Sequence, residues 1–203
     1  MQTRTKLLVI VGPTAVGKTS YSLDLALKLC GEVVSADSRY LYCGMDIGTA
    51  KPGMEEMANV PHHLIDVTVP DKPWSLAEYK RAATHAIEDI QARGRLPLMV
   101  GGTGQYVHSV VEGWRIPPRA KDDALRARLQ ATVQKPGGAE SLYEQLAGLD
   151  PISAARIDRR NVRRVIRAIE VCLLTGRPFS AQRGKSPPSY DVFVLGLTMP
   201  RAQ

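Results

Sequence analysis

The chain has 203 residues, 44% of them hydrophobic, and a formal charge of +7, enough apolar material for one good core and a smaller module. No apolar run approaches the roughly 20 residues that a membrane helix needs. Three widely spaced cysteines, Cys30, Cys43 and Cys172, with no C-x-x-C pair, argue against a disulfide scaffold or a zinc site and for reduced thiols in a cytoplasmic protein.

In chain order, residues 7–11 (LLVIV) read as a buried parallel strand. Gly12, Pro13, Thr14, Ala15, Val16, Gly17, Lys18 and Thr19 follow and match G-x-x-x-x-G-K-[ST]. The glycines let the backbone turn so that its N–H groups point at phosphate oxygens. Lys18 adds a cation, and the Thr19 hydroxyl suits Mg²⁺. The helix expected over 20–29 aims its positive dipole end at the same anion. Strand, loop and helix together predict a phosphate site without saying which phosphate compound binds.

Residues 32–36 read as a second strand and 60–69 contain a third. Residues 75–93 form a helix, with Ser75 and Glu78 as a capping box and Gly94 as its stop. Residues 96–100 are another buried strand, followed by Gly101-Gly102-Thr103-Gly104. Strands alternating with helices predict an α/β fold, a P-loop parallel sheet flanked by helices, with sites at the carboxyl ends of the strands.

The pattern changes after Trp114. Pro117-Pro118 mark a boundary, and helical stretches follow near 121–134, 139–148 and 151–175. A loop with Pro187-Pro188 returns to a strand over 192–197. The expected organisation is a core of 1–114 plus 186–203, interrupted by a small all-helical insertion at 115–185. The excess charge sits in that insertion: Arg115–Lys185 holds 15 Lys/Arg against 7 Asp/Glu, and the remainder 12 against 13. Such a block is either a solvated helical face or a footprint for a phosphate backbone. On the longest helix, Arg160, Arg164 and Arg167 fall at i, i+4 and i+7, with Arg163 alongside and no acidic partner at i+4. That favours nucleic acid. Val162, Val165, Ile166, Ile169 and Cys172 make the buried side.

Asp37 follows the second strand, so it reaches the sheet edge beside the P-loop as a Mg²⁺ ligand, a proton acceptor or a turn residue. Ser38 and Tyr40 sit beside it. Thr103 faces the same crevice or simply completes its turn. Asp66 is placed like a Walker B acid. His62 and His63 are adjacent, hence on opposite sides of a strand, which is poor metal geometry; a structural role is expected for that segment.

Several blocks together resemble the tRNA dimethylallyltransferases. They are the P-loop, Ser35-Ala36-Asp37-Ser38, Gly44-Met45-Asp46-Ile47-Gly48-Thr49-Ala50-Lys51-Pro52, Pro61-His62-His63-Leu64-Ile65-Asp66, Val100-Gly101-Gly102-Thr103-Gly104-Gln105-Tyr106 and Arg163-Arg164-Val165-Ile166-Arg167-Ala168-Ile169-Glu170-Val171. The resemblance implies transfer of a five-carbon group from dimethylallyl diphosphate to the exocyclic amine of the adenosine 3′ to a tRNA anticodon. It implies Asp37, Thr103 and Lys18 as catalytic, with Mg²⁺ as cofactor and the P-loop as a diphosphate cradle. It implies tRNA contacts from Asp37, Ser38, Arg39, Tyr40, Thr103, Arg126, Arg163, Arg164, Val165, Ile166 and Arg167, to which the arginine stripe adds Arg160. A cytoplasmic monomer is expected. Tyr40 stands where Gln is common in the family, and Cys43 where a basic residue is common. Family members also run on past this length, with an arginine-bearing helix that reaches the diphosphate; a continuation is expected here too. The alternatives are an adenylate isopentenyltransferase acting on free nucleotide, a P-loop kinase or ATPase, and a non-catalytic RNA-binding module.

Overall fold

Period-two burial organises the sheet in the computed structural model, which describes residues 5–57, 59–117, 122–186, 188 and 190–199. Along β1 (Thr5–Val11), Leu7 and Val9 face one side and Leu8 and Ile10 the other, all buried. The remaining strands are β2 (Gly31–Ser35), β3 (His62–His63), β4 (Leu96–Val100), β5 (Trp114–Arg115), β6 (Gly184–Lys185) and β7 (Tyr190–Gly196). The main sheet is five-stranded and parallel, in the order β3-β2-β4-β1-β7. Helix α1 (Lys18–Leu29) packs through Ala26 on Leu8, Ile10, Val33 and Leu98. Helices α3 (Leu76–Ala92) and α4 (Gly104–Val111) cover the other face, over Leu7, Val9, Val34 and Met99. A short α2 (Met54–Met57) lies in the connection from β2 to β3.

The chain divides into two compact units, Met1–Trp114 with Ser186–Gln203, and Arg115–Lys185. The second unit is helical: α5 (Asp123–Val133), α6 (Gly138–Leu149), α7 (Pro151–Arg156) and α8 (Val162–Thr175). They enclose Leu125, Leu129, Leu142, Leu146, Val165 and Ile169. Asp150 is buried and accepts from Ser153 N, Ser180 N and Ser180 Oγ. Burial opposes its charge, but these bonds outweigh burial and hold the carboxyl below its usual value.

Local chemistry explains where elements begin and stop. The expected capping box at α3 is present, with Ser75 and Glu78 bonded reciprocally. The strand expected within 60–69 shrinks to His62–His63, because Leu64 and Asp66 take left-handed φ of 64° and 53°. The helix expected over 151–175 breaks in two. Asp158 Oδ1 accepts from Arg160 N, and Asn161 Oδ1 accepts from Arg164 N as the cap of α8. Pro118, Lys121, Pro187 and residues 200–203, which carry the expected boundary, a helix start, the return loop and the chain's ending, lie outside the described residues.

Three basic side chains from beyond β2, Arg93, Arg95 and His63, converge on its buried Glu32. It accepts from Arg93, from His63 Nε2 at 2.7 Å if that nitrogen is protonated, and lies 3.3 Å from Arg95. The Arg93 guanidinium, opposed by burial and supported by His63, lowers the carboxyl from 4.5 to about 2. A depressed folded-state value means that this stability is complete above pH 4.5 and lost as pH falls towards 2. Glu32→Gln should cost about 1.5–3 kcal/mol near neutrality and flatten the stability profile between pH 4.5 and 2 in denaturant titrations. An unchanged acid limb would remove Glu32 as its source.

Candidate active site

The first unit gathers its candidate residues where the carboxyl ends of β1, β2 and β4 meet. β1 connects over β4 towards β2, and β4 connects over β1 towards β7, so their connections leave in opposite directions and open a crevice between them. The glycine-rich loop fills one side. Gly17 caps α1 with φ 85°, and Ala15 also lies in the left-handed region at 64°. Gly12 tolerates no side chain: a Cβ there would lie 2.6 Å from Leu197 O.

Lys18 donates from Nζ to Gly12 O at 3.0 Å and Pro13 O at 2.6 Å, curling over its own loop. Burial lowers its pKa, and the nearby Asp37 carboxylate works against that shift. Lys18 and Asp37 therefore share one electrostatic environment across two strands. Asp37 Oδ1 accepts from Arg39 N at 2.9 Å, which folds 37–39 into a turn. Thr103 Oγ1 accepts from Ser38 N at 3.0 Å, and Thr103 N donates to Ala36 O at 3.1 Å. The structure thus brings Lys18, Asp37, Ser38 and Thr103 together. The oxygens that suit Mg²⁺ here are the Thr19 hydroxyl and the Asp37 carboxylate. Among the described residues no cluster of three or more His, Cys, Asp or Glu forms a cage. A few hard oxygens fit a cation that keeps its waters and shares phosphate oxygens.

The block from Gly44 to Pro52 also has a physical role. Lys51, only 5% exposed at its side chain, donates to Asp66 Oδ1 at 2.6 Å, Asp46 Oδ1 at 2.7 Å and Tyr42 O at 2.9 Å. All three ammonium donors are used, and the loop after Asp37 is tied to the segment after β3. Tyr40 donates its hydroxyl to Ala50 O, where φ is 55°. Asp66 is therefore a loop anchor. Cys43 donates its thiol to Asp66 O at 3.2 Å, and all three cysteines are free.

In the second unit, three sequence expectations change. Arg160 lies in the turn before α8, so the i, i+4, i+7 stripe is not continuous. Val165 is buried in the helical core and presents no side chain to a partner, while Ile166, also buried, forms part of the groove beside Arg126 and Arg163. The arginines also have an acidic partner that i+4 spacing misses: Glu170 Oε2 lies 3.8 Å from Arg167 Nη1, at i+3, and Oε1 lies 3.5 Å from Arg126 Nη1 on α5. Arg163 and Arg164 are exposed in the first turn of α8. Lys51 and Glu170 escaped the sequence reading. A lone Glu on an otherwise apolar arc was the available signal for the second.

The family model described as IPP transferase matches residues 40–203. A tRNA dimethylallyltransferase of Thermomicrobium roseum is 53% identical over 99% of this chain, which spans 61% of that relative's length. The tRNA isopentenylpyrophosphate transferase of Bacillus halodurans is 46% identical, with a TM-score of 0.59 over 95% of this chain and 60% of its own. A eukaryotic dimethylallyltransferase solved acting on tRNA is 29% identical and superposes with a TM-score of 0.81 over 95% of this chain and 48% of its own. No described helix is long and apolar enough to cross a membrane.

Removing the Lys51 ammonium should loosen the loop rather than the sheet. Lys51→Met is expected to speed hydrogen exchange across residues 40–66 while β1 and β4 keep their protection. Equal acceleration everywhere would mean that Lys51 supports the whole unit instead.

Proposed function

The chain belongs to the IPP transferase family, and on that premise we propose that it transfers a dimethylallyl group from dimethylallyl diphosphate to the exocyclic amine of an adenosine in tRNA. The observation that carries this reading is Lys18 beside Asp37 in one crevice, with Ser38 N on Thr103 Oγ1.

In the proposed reaction the bond from the allylic carbon to the diphosphate oxygen breaks, the bond from that carbon to the amine nitrogen forms, and one amine proton leaves. The allylic carbon builds cationic character and the diphosphate builds negative charge. Loop N–H groups, the α1 N-terminus and Lys18 stabilise the leaving anion. Lys18 exchanges its bonds to Gly12 O and Pro13 O for diphosphate oxygens. The adenine amine is a weak nucleophile, since its lone pair is delocalised into the ring. Asp37 accepts its proton as the new bond forms. Thr103 keeps the loop carrying Asp37 against β4. Mg²⁺, held through Thr19, would neutralise diphosphate charge when bound. The base must leave its stack to enter such a crevice. Arg126, Arg163, Arg164 and Arg167 of the helical unit grip the tRNA phosphates, with Arg160 flanking them.

Free-nucleotide prenylation and phosphoryl transfer are the competing readings. The basic helical unit disfavours the first, since a free nucleotide needs no long basic surface. Labelled dimethylallyl diphosphate with Mg²⁺ and either tRNA or AMP separates them. The assay should use this chain and a chimera continuing into the Thermomicrobium roseum relative. Label is expected in tRNA. Label in AMP alone, or ATP hydrolysis with neither product, would overturn the proposal.

Asp37→Asn should lower turnover by about 10²–10⁴-fold with tRNA affinity retained; undiminished turnover would remove it as the base. Changing Arg163 and Arg164 to Ala should reduce the slope of log affinity against log salt by about 0.7–0.9 for each phosphate no longer neutralised. An unchanged slope returns these arginines to a solvated surface.

A further inference from the structure

Besides the hydrogen-bonded Asp150, the helical unit buries a second carboxylate within its apolar core. Glu170 lies on α8 and is 3% exposed, beside Val165, Ile166, Ile169 and Val171, all buried. A buried charge must be paired or it costs several kcal/mol. Its partners are two guanidiniums from different helices, Arg126 of α5 at 3.5 Å and Arg167 of α8 at 3.8 Å. Oε2 has no hydrogen bond among the described residues. The pairing is thus electrostatic and loose, unlike the short bonds at Glu32. Both arginine side chains reach solvent, 43% exposed for Arg126 and 29% for Arg167. Arg126 also lines a groove of about 710 Å³ with Gln130, Gln134 and Arg163. A guanidinium carries five N–H donors in a rigid fork. The Glu170 carboxylate attracts the Arg126 guanidinium from beneath and leaves its outer donors towards solvent.

We propose that Glu170 is a positioning residue for RNA binding: from beneath, it biases the orientation of Arg126, across the groove from α8, so that its guanidinium meets a phosphate oxygen partly aligned. The role rests on the tRNA-binding reading of the helical unit. Its energetic logic is preorganisation. A surface arginine loses rotamer freedom when it binds a phosphate, and a buried anchor removes part of that loss beforehand. The same carboxylate places a negative charge near a polyanion, so charge alone predicts the opposite sign of effect.

That difference in sign supplies the test. Glu170→Gln preserves shape and removes the charge. Binding of a synthetic anticodon stem-loop RNA to the full chain is measured by salt titration for the unmodified protein, Glu170→Gln, Arg126→Ala and the double variant. Positioning predicts a loss of about tenfold for Glu170→Gln, and a much smaller loss when Arg126 is already Ala. The thermal midpoint should stay within about 5 °C, a shift too small to explain the binding loss by unfolding. The guanidinium NMR signal of Arg126 should show restricted rotation in the unmodified protein and averaging in Glu170→Gln. Tighter binding by Glu170→Gln, full additivity with Arg126→Ala, or an unaltered guanidinium signal would each overturn the role. If the unmodified chain does not bind the stem-loop, the tRNA reading fails and the role fails with it. The NMR signal then still reports whether Glu170 holds Arg126, which keeps the two failures distinct.

Discussion

The candidate active site depends on how closely the strand ends approach one another. Ala36 N donates to Val100 O at 2.7 Å, Gly101 N to Ile10 O at 3.2 Å and Leu197 N to Val11 O at 2.8 Å. These bonds continue the ladders of β1, β2, β4 and β7 past their last paired residues. The approach is possible because Gly101 has no side chain; a Cβ there would lie 2.4 Å from Ala36 C and O. Backbone packing at that point brings the turn after β4 under the turn after β2. Thr103 then reaches Ser38, and Asp37 is held facing the loop that carries Lys18. A larger residue at 101 would separate the groups before it disturbed the core.

In the proposed reaction the loop after β1 is a cradle for a departing anion. The Asp37 carboxylate follows β2, on the far side of β4 from that loop, and serves the amine instead. Under that proposal, bond breaking and proton acceptance fall to residues after different strands. The loop after Asp37 then needs to be stiff, since it carries the proposed proton acceptor. Lys51 supplies that stiffness by committing all its donors to Tyr42, Asp46 and Asp66, and Tyr40 adds its bond to Ala50 O.

What could be read from the sequence was mainly what is local. The phosphate loop is eight consecutive residues between a strand and a helix, and the α3 capping box is four; both appear where their spacing puts them. Asp37 at the end of β2 and Thr103 after β4 were legible as edge residues, because an α/β pattern fixes which end of a strand carries a site. Their link through Ser38 N spans 65 residues and has no local signature. Lys51 read as part of a motif with no mechanism, since its partners at 42, 46 and 66 become a network only after the chain folds back. Arg160 was misplaced because 151–175 read as one continuous helix, while Asp158 and Asn161, both cap formers, stop one helix and start the next. Val165 and Ile166 came with the arginines as a contiguous motif, although helical spacing turns them inward.

Two of the three carboxylates buried among the described residues, Glu32 and Glu170, are paired with arginines in different ways in the two units. Glu32 is held by a hydrogen bond of 2.7 Å to His63 and 2.9 Å to Arg93 Nη2, and Arg93 also bonds Asp89 at 2.8 Å. Those donors are committed within the protein, so this cluster ties β2 and β3 to the end of α3 and offers little to a ligand. Glu170 keeps its arginines at 3.5 Å and 3.8 Å, close enough to orient them and too far for short, fully formed bonds. A tightly bonded pair would give the helical unit more stability and less capacity to bind. An unpaired carboxylate would cost more than the small core of that unit sustains. The observed spacing lies between those limits, which suits the proposed role of Glu170 in positioning Arg126 for a phosphate.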